Sequence, residues 1–240
     1  MYQIKQIPDA NGTVEYQKIE TVFVYDKTAR MFRSSYFNPI VRYLARAEWI
    51  GSEKVNGANS SVYWDGHTIQ FFGRTGTDFI EGQKEALERT FGGMEVAFEQ
   101  AFGSKQVRLF MECYGGKICR EEGGAGRYRN NPALIGFDVQ INGIYLDRSA
   151  IRQIFSSFGI SAVGMKPYTS LEEAIREVQW MADAKKESPL NEEGFHTEQE
   201  GLVLLPKIRL FDHQYNRIAV KVKCEDMRKT LWDGEVGPRG

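Results

Sequence analysis

The residues with the clearest capacity for chemistry lie in the stretch Glu53–Asn59, where Lys54 is followed three positions later by Gly57. Strand-like residues precede Lys54 and follow Gly57, so we expect the lysine at a strand end and the glycine in a tight turn. A lysine amine becomes a nucleophile when it loses its proton, which requires its reference pKa of about 10.4 to fall through burial or nearby cations. The same pattern also fits an ordinary surface lysine in a turn, so this stretch alone does not identify a nucleophile.

Later segments place further charged or aromatic side chains beside predicted strands. In chain order they contribute Arg74, Glu112, Phe137, Glu200, Lys221 and Lys223. The two lysines are two positions apart on a predicted strand, so they share a face, where they would neutralise a phosphate and lower the pKa of a nearby lysine. Two carboxylates suit an oxygen-seeking ion such as Mg²⁺, and an aromatic face can stack on a base for about 1–3 kcal/mol. Taken alone, Phe137 is better explained as a core residue, and Glu200, Lys221 and Lys223 as charges on a strand edge or a solvated strand face. Only the joint pattern favours a site.

The elements that must position these residues follow from hydrophobic periodicity. The predicted strands cover 21–25, 47–54, 59–64, 68–73, 107–113, 133–141, 144–146, 201–205 and 217–223, and the predicted helices cover 39–46, 83–102, 149–158 and 170–186. Strands and helices are interspersed with hairpins, which indicates an α+β fold of antiparallel sheets flanked by helices rather than a doubly wound parallel sheet.

Local signals refine these elements. Asp65-Gly66 and Asn142-Gly143 each predict a hairpin turn, because glycine tolerates the positive φ that such turns need. Gly92-Gly93 is expected to divide the helix over 83–102. Ser170 with Glu173 fits a capping box at the start of the helix over 170–186.

Three remaining segments are predicted as irregular structure. The stretch 123–126, with Arg127 and Arg129 beside it, indicates a mobile surface loop more than a contact to a phosphate backbone. The polar stretch 187–197 is also predicted to be a loop, and the tail from 232 to 240 is expected to be loose.

Composition restricts the class of protein. The chain has 240 residues, 42% of them hydrophobic, and a net charge of −1, so contact with nucleic acid would need a local basic patch. It lacks both an apolar run of about 18 residues and a secretory leader, which predicts a cytoplasmic protein without a membrane segment. Cys113, Cys119 and Cys224 are expected as reduced thiols. Cysteine and histidine spacing does not predict a zinc site, and the P-loop pattern is absent from the sequence.

The ordered set of segments resembles the covalent nucleotidyltransferases, which include polynucleotide ligases and mRNA capping enzymes. The segments that carry the resemblance read E-K-V-N-G-A-N, F-F-G-R-T-G, F-M-E-C-Y-G-G, I-G-F-D-V, E-G-L-V-L-L and V-K-V-K. The residues of these segments are most similar to those of RNA ligases of phage RNA repair and of RNA editing. The resemblance runs from about Trp49 to Met227.

This resemblance implies a role for each matching residue. Lys54 would attack the α-phosphate of ATP and become lysyl-AMP. Glu53 and Asn59 would contact the nucleotide or metal-bound water. Arg74 would lie on the ribose side and assist at the RNA end, and Phe137 would stack on adenine.

The remaining matches concern charge. Glu112 would support the nucleotide and the metal shell, and Glu200 would organise a catalytic Mg²⁺ or Mn²⁺. Lys221 and Lys223 would grip the α-phosphate. The resemblance therefore implies an ATP-dependent RNA ligase that joins a 5′-phosphate to a 3′-hydroxyl through an enzyme–AMP intermediate.

Two features qualify the expected function. DNA ligases usually carry Asp where this chain has Asn56, which argues against a DNA ligase. About 17 residues follow Lys223, fewer than the roughly 40 that fold unaided, so we expect a single nucleotidyltransferase domain over 1–240 with a lead-in over 1–47. We expect a monomer that depends on an accessory protein or domain to grip RNA. A GTP-using capping-type enzyme, a DNA ligase and a non-catalytic nucleic-acid-binding module remain the alternatives.

Overall fold

A computed structural model describes residues 16–74, 76–118, 127–213 and 216–232. Within them the strands are β1 Glu20–Thr21, β2 Phe23–Asp26, β3 Met31–Tyr36, β4 Trp49–Glu53, β5 Ala58–Trp64, β6 Ile69–Phe72, β7 Val107–Tyr114, β8 Ala133–Ile141, β9 Ile144–Tyr145, β10 Met165–Tyr168, β11 Gly201–Pro206, β12 Val220–Lys223 and β13 Thr230–Leu231. The helices are α1 Pro39–Leu44, α2 Gln83–Phe91, α3 Glu95–Phe102, α4 Arg148–Ser157, α5 Leu171–Ala184 and α6 Cys224–Arg228.

The chain divides into two compact units, and each has its own β-structure and apolar core. Of the described residues, the first unit holds position 16 and those within 56–163 and 189–197, and the second holds the rest. The predicted lead-in over 1–47 therefore supplies three strands and a helix, β1 to β3 and α1, to the second unit.

The first unit is built on one antiparallel sheet with the strand order β6-β5-β7-β8-β9. Leu109 and Met111 of β7 pack into a core with the aromatic side chains of α2 to α4, among them Phe98 and Phe155. Side chains alternate along a strand, so Phe110 and the positions two residues to either side of it lie on the opposite face of the sheet. This opposite face carries the polar candidates of the unit.

The second unit contains a five-stranded sheet, β1-β12-β11-β4-β10, and a three-stranded sheet, β13-β3-β2. Trp49, Leu204 and Val222 of the larger sheet pack with Val178 of α5 in a buried core. Most pairings are antiparallel, and only β1 with β12 and β13 with β3 are parallel within the described residues. The predicted α+β class of antiparallel sheets with flanking helices is confirmed.

Several local predictions are confirmed. β5 and β6 form a hairpin around Asp65-Gly66, and Ile141 pairs with Ile144 across a two-residue turn. In that turn Asn142 and Gly143 have φ of 50° and 77°, as a type I′ turn requires. The helix predicted over 83–102 is divided at Gly92-Gly93 into α2 and α3.

Other local predictions needed the tertiary structure. The side chain of the N-cap Ser170 accepts a hydrogen bond from the backbone N–H of Glu173 at 3.2 Å, as predicted. The Glu173 carboxylate, however, accepts from the backbone N–H and the hydroxyl of Thr169, where a capping box would use the backbone N–H of Ser170. The capping box is therefore shifted by one residue on its return bond. β10 was not predicted, because the four-residue sequence M-K-P-Y is too short to show a period and becomes a strand through pairing with β4. The glycine-rich stretch 123–126 lies outside the described residues.

Among the helices that the structure describes, none has the length and apolar character that a bilayer crossing requires.

We expect Gly136→Ala to lower the free energy of unfolding by about 1–3 kcal/mol, because overfilling a packed core forces its neighbours to shift. A Cβ at Gly136 would lie 2.3 Å from ring atoms of Phe155, which is fully buried. Gly164→Ala is the matched control, since its Cβ would meet nothing within 4 Å. Urea unfolding of both variants measures the effect, and equal stability of the two would contradict the packing described for β8 against α4.

Candidate active site

Lys54 directly follows β4, and both its backbone N–H and its side-chain amine form hydrogen bonds. Its backbone N–H donates to the carbonyl oxygen of Gly201 at 2.9 Å, which extends the β4–β11 pairing by one residue. Its Nζ donates to Oε2 of Glu200 at 2.6 Å. The two side chains are 26% and 25% exposed, so the pair is accessible to a ligand but partly shielded from water.

The two lysines of β12 lie on one sheet face with the Lys54–Glu200 pair. Val220 and Val222 are fully buried in the core, so Lys221 and Lys223 lie on the opposite face, as the sequence predicts. Val203 of β11 pairs with Lys221 on one side and with Ser52 on the other, and Gly201 pairs with Lys223. The predicted shared face is confirmed.

Repulsion among the three ammonium groups is visible at Lys221. Burial lowers the pKa of Lys221, and the positive charges of Lys54 and Lys223 lower it further. Glu20 and Asp226 act in the opposite direction without reversing it. Three ammonium groups close together on one face are an arrangement that an anionic ligand such as a phosphate would stabilise.

Glu53 precedes the lysine but belongs to a more enclosed environment. Burial raises the pKa of its carboxyl group, and a hydrogen bond from Ser188 together with the charge of Lys186 opposes the rise. Ser188 Oγ donates to Oε1 of Glu53 at 2.5 Å. The carboxylate thus has a fixed orientation, supplied by a loop that the sequence predicts only as irregular.

The turn after Lys54 depends on glycine at position 57. A Cβ on Gly57 would lie 2.4 Å from the carbonyl oxygen of Cys113 and 2.6 Å from Cγ of Glu112, both on β7. The close approach of two backbones therefore requires glycine here. The preceding residue, Asn56, donates its backbone N–H to the hydroxyl of the fully buried Tyr128 at 2.8 Å.

In the first unit, Asn59 and Glu112 are direct partners across β5 and β7. Phe137 occupies the adjacent strand at a register break, where Asp138 pairs with Phe110 while Gly136 pairs with Met111. Phe137 is therefore the extra residue of a β-bulge, a feature that redirects a side chain. Its ring lies 6.5 Å from that of Phe110 at an interplanar angle of 22°.

Tyr16 also contacts this aromatic pair. Its ring centroid lies 5.1 Å from that of Phe137 at 76° and 5.0 Å from that of Phe110. Its hydroxyl donates to Oδ2 of Asp138 at 2.9 Å. Phe137 is consequently one member of an aromatic group rather than an isolated platform.

Arg74 lies in the turn that follows β6, where its side chain is exposed. Gly73 donates its backbone N–H to the carbonyl oxygen of Gly76 at 2.7 Å, which closes the turn around it. The exposed position leaves the guanidinium accessible to a ligand.

The structure thus brings the predicted residues together in two groups, one in each unit. The second unit unites Lys54, Glu200, Lys221 and Lys223, with Glu53 adjacent in sequence. The first unit unites Asn59, Glu112 and Phe137. Within the described residues, His, Cys, Asp and Glu do not gather in threes in a way that would hold a metal ion.

Sequence reasoning missed four residues that contact members of the predicted motifs. Tyr16 contacts Phe137, and Tyr128 contacts Asn56. Ser188 contacts Glu53, and Asp226 contacts Lys223. Each is distant in sequence from its partner or lies in a segment without periodicity, apart from Asp226. That acid, three residues after Lys223, was recognisable from spacing as a helical i,i+3 partner.

The fold is shared with solved RNA ligases. It resembles an archaeal ATP-dependent RNA ligase with a TM-score of 0.56 and 13% identity, over 89% of this chain and 49% of that protein. It also resembles a variant of a Naegleria gruberi RNA ligase that was solved with ATP and Mn. That comparison gives a TM-score of 0.56 and 15% identity, over 88% of this chain and 61% of that protein. The chain therefore spans about half to three fifths of the length of these proteins.

A sequence comparison assigns the family. The sequence profile described as RNA ligase matches residues 47–223, most of the chain, and the protein belongs to that family. A search of curated proteins finds no match.

We expect Glu53→Gln to change how stability depends on pH. Because burial raises the pKa of Glu53 above its ordinary value of 4.5, the folded protein binds this proton more tightly than the unfolded chain. Wild-type stability therefore falls as pH rises through the range between the ordinary and the raised pKa, and the variant lacks this loss. Urea unfolding below pH 4.5 and at neutral pH measures the free energy of unfolding of both proteins. The variant should become more stable relative to the wild type as pH rises.

Ser188→Ala is the companion variant. It removes the hydrogen bond that lowers the pKa of Glu53, so the loss of stability with rising pH should become larger than in the wild type. Identical pH dependence in all three proteins would show that Glu53 titrates as an ordinary exposed carboxylate.

Proposed function

We propose that this protein is an ATP-dependent RNA ligase that forms lysyl-AMP on Lys54 and seals 5′-phosphate to 3′-hydroxyl RNA ends. Membership of the RNA ligase family supports the reaction class. The observation that carries the assignment is the pairing of Lys54 Nζ with Glu200 at 2.6 Å, on the sheet face that also carries Lys221 and Lys223.

The first chemical step follows from the position of Lys54. The neutral amine forms a bond to the α-phosphorus of ATP and gives up one proton, the bond from that phosphorus to its bridging oxygen breaks, and pyrophosphate leaves. Lys221 and Lys223 lie on the face from which Lys54 extends and are suited to hold the negative α-phosphate. Phosphoryl transfer of this kind relies on positioning and charge neutralisation.

The next two steps rest on the family. AMP passes from Lys54 to the 5′-phosphate of an RNA strand, which breaks the N–P bond and forms a pyrophosphate linkage. A 3′-hydroxyl then attacks the activated phosphate, a phosphodiester forms, and AMP is released.

The acids fit a divalent ion of the Mg²⁺ or Mn²⁺ type. Glu112 and Glu200 are only partly buried carboxylates, and oxygen ligands are what these ions prefer. Such an ion, when bound, would neutralise charge on the phosphates. The Naegleria gruberi variant was solved with ATP and Mn.

Roles for the remaining residues are proposed from the resemblance. Phe137, aimed by the bulge, would stack on adenine. Glu53 and Asn59 would contact the nucleotide or metal-bound water. Arg74, which is exposed, would contact the ribose side and the RNA end. The subtype proposed is that of RNA repair and editing ligases.

We expect the protein to become covalently labelled when incubated with ATP carrying a labelled α-phosphate and Mg²⁺. Lys54→Ala should abolish the label, because it removes the only atom that would accept AMP. Lys27→Ala, which removes an exposed lysine amine elsewhere in the second unit, should leave it unchanged. Denaturing gels measure the adduct, and an N–P linkage should be lost in acid but survive alkali.

The same assay separates the alternatives. Labelling by GTP instead of ATP would assign a capping-type enzyme. Absence of any adduct with either nucleotide would favour a non-catalytic nucleic-acid-binding module and overturn the proposal.

We expect sealing of nicked or single-stranded RNA with a 5′-phosphate, and weaker sealing of matched DNA. The reason is the family assignment together with Asn56 in place of the aspartate usual in DNA ligases. A panel of RNA and DNA ends, resolved on gels, measures the preference. Equal or better sealing of DNA nicks would contradict it.

A further inference from the structure

The short helix α6 begins immediately after β12 and brings two acids next to Lys223. Nζ of Lys223 lies 3.6 Å from Oε2 of Glu225 and also 3.6 Å from Oδ1 of Asp226. The two side chains differ in burial, at 57% and 5% exposed. Two acids at one distance, in different surroundings, therefore share one lysine.

Glu225 is the weaker partner on physical grounds. It is exposed, and it also forms an ion pair with Lys229 one helical turn later. Exposed pairs contribute little because water screens them and both side chains lose freedom.

Asp226 has the opposite character. Its Oδ2 is enclosed and has no hydrogen-bond partner among the residues that the structure describes. Burial raises the pKa of its carboxyl group and the nearby Glu225 adds to the rise, while Lys223 and Lys221 lower it. A buried charge with incomplete pairing costs stability, so packing alone does not account for an acid at this position.

The charged groups around Asp226 belong to the phosphate-facing lysines. Of the groups that influence its titration, Lys221 and Lys223 are the cations, and both come from β12. Asp226 in turn raises the pKa of Lys221, against the burial and the repulsion by Lys54 that lower it. The acid therefore offsets part of the repulsion among three ammonium groups.

We propose that Asp226 is a positioning residue for nucleotide binding: its buried carboxylate holds Lys223 and offsets the repulsion within the lysine pair that receives a phosphate. The proposal rests on the proposed function, because it assigns the lysine pair to a nucleotide phosphate. It predicts that the acid serves binding at the expense of stability, as is common for charged groups in functional sites.

The test compares Asp226→Asn with Glu225→Gln, which removes the exposed acid at the same distance from Lys223. We expect Asp226→Asn to weaken ATP binding and slow adduct formation on the order of tenfold, with a melting temperature equal to or above that of the wild type. Glu225→Gln should change ATP binding and the rate of adduct formation by less than about twofold, since exposed ion pairs are weak. Titration calorimetry with ATP and Mg²⁺, single-turnover labelling and thermal unfolding supply the three readouts.

Lys223→Gln and the double variant Lys223→Gln/Asp226→Asn guard against a purely structural effect. If Asp226 acts through Lys223, the double variant binds ATP no more weakly than Lys223→Gln alone. Additive losses, or a loss in Asp226→Asn that follows a fall in melting temperature, would overturn the proposal. So would wild-type binding and labelling by Asp226→Asn.

The outcome is separable from that of the proposed function. Wild-type labelling with an unaffected Asp226→Asn variant would keep the ligase and reject the positioning role. ATP binding without any adduct, weakened by Asp226→Asn, would reject the ligase and keep the role.

Discussion

Repulsion among three lysines on one sheet face is the constraint on which the candidate site of the second unit depends. Lys54 follows β4, and Lys221 and Lys223 lie on β12. Burial lowers the pKa of Lys221, and the positive charges of Lys54 and Lys223 lower it further. Glu200 pairs with Lys54 at 2.6 Å and Asp226 lies 3.6 Å from the Nζ of Lys223, so part of the repulsion among the lysines is offset within the fold. Binding of an anion such as a phosphate would relieve the repulsion that remains among these lysines.

Stability is given up at several of these positions in favour of geometry. Burial raises the pKa of Glu53 and of Asp226, so both carboxylates are costly to ionise where they lie. Gly57 allows a backbone approach that no other residue permits, and a bulge interrupts the β7–β8 ladder at Phe137. Functional sites commonly hold such locally unfavourable arrangements, because surrounding structure determines them.

Elements with short-range causes were predictable. The turn at Asn142-Gly143 and the break at Gly92-Gly93 follow from glycine's access to positive φ, and alternation placed Lys221 and Lys223 on one face. β10 was not predictable, because its pairing with the distant β4 makes it a strand. The hydrogen bond of the Glu173 carboxylate was not predictable either, because it depends on a choice between the adjacent donors of Thr169 and Ser170. The order of motifs was sufficient to predict the family, which the profile match confirms.

The sequence by itself determined which residue types are available and in what order, because motif spacing and side-chain period are properties of the local chain. Only the tertiary structure decided their partners. Glu200, 146 positions from Lys54, meets its amine at 2.6 Å, and Tyr128 holds the turn at Asn56 from 72 positions away. The burial that distinguishes Asp226 from its neighbour Glu225 is likewise invisible in sequence, since adjacent acids differ only in what packs around them. Distances, burial and charge balance arise from packing between distant segments, and these quantities set the chemistry of the site.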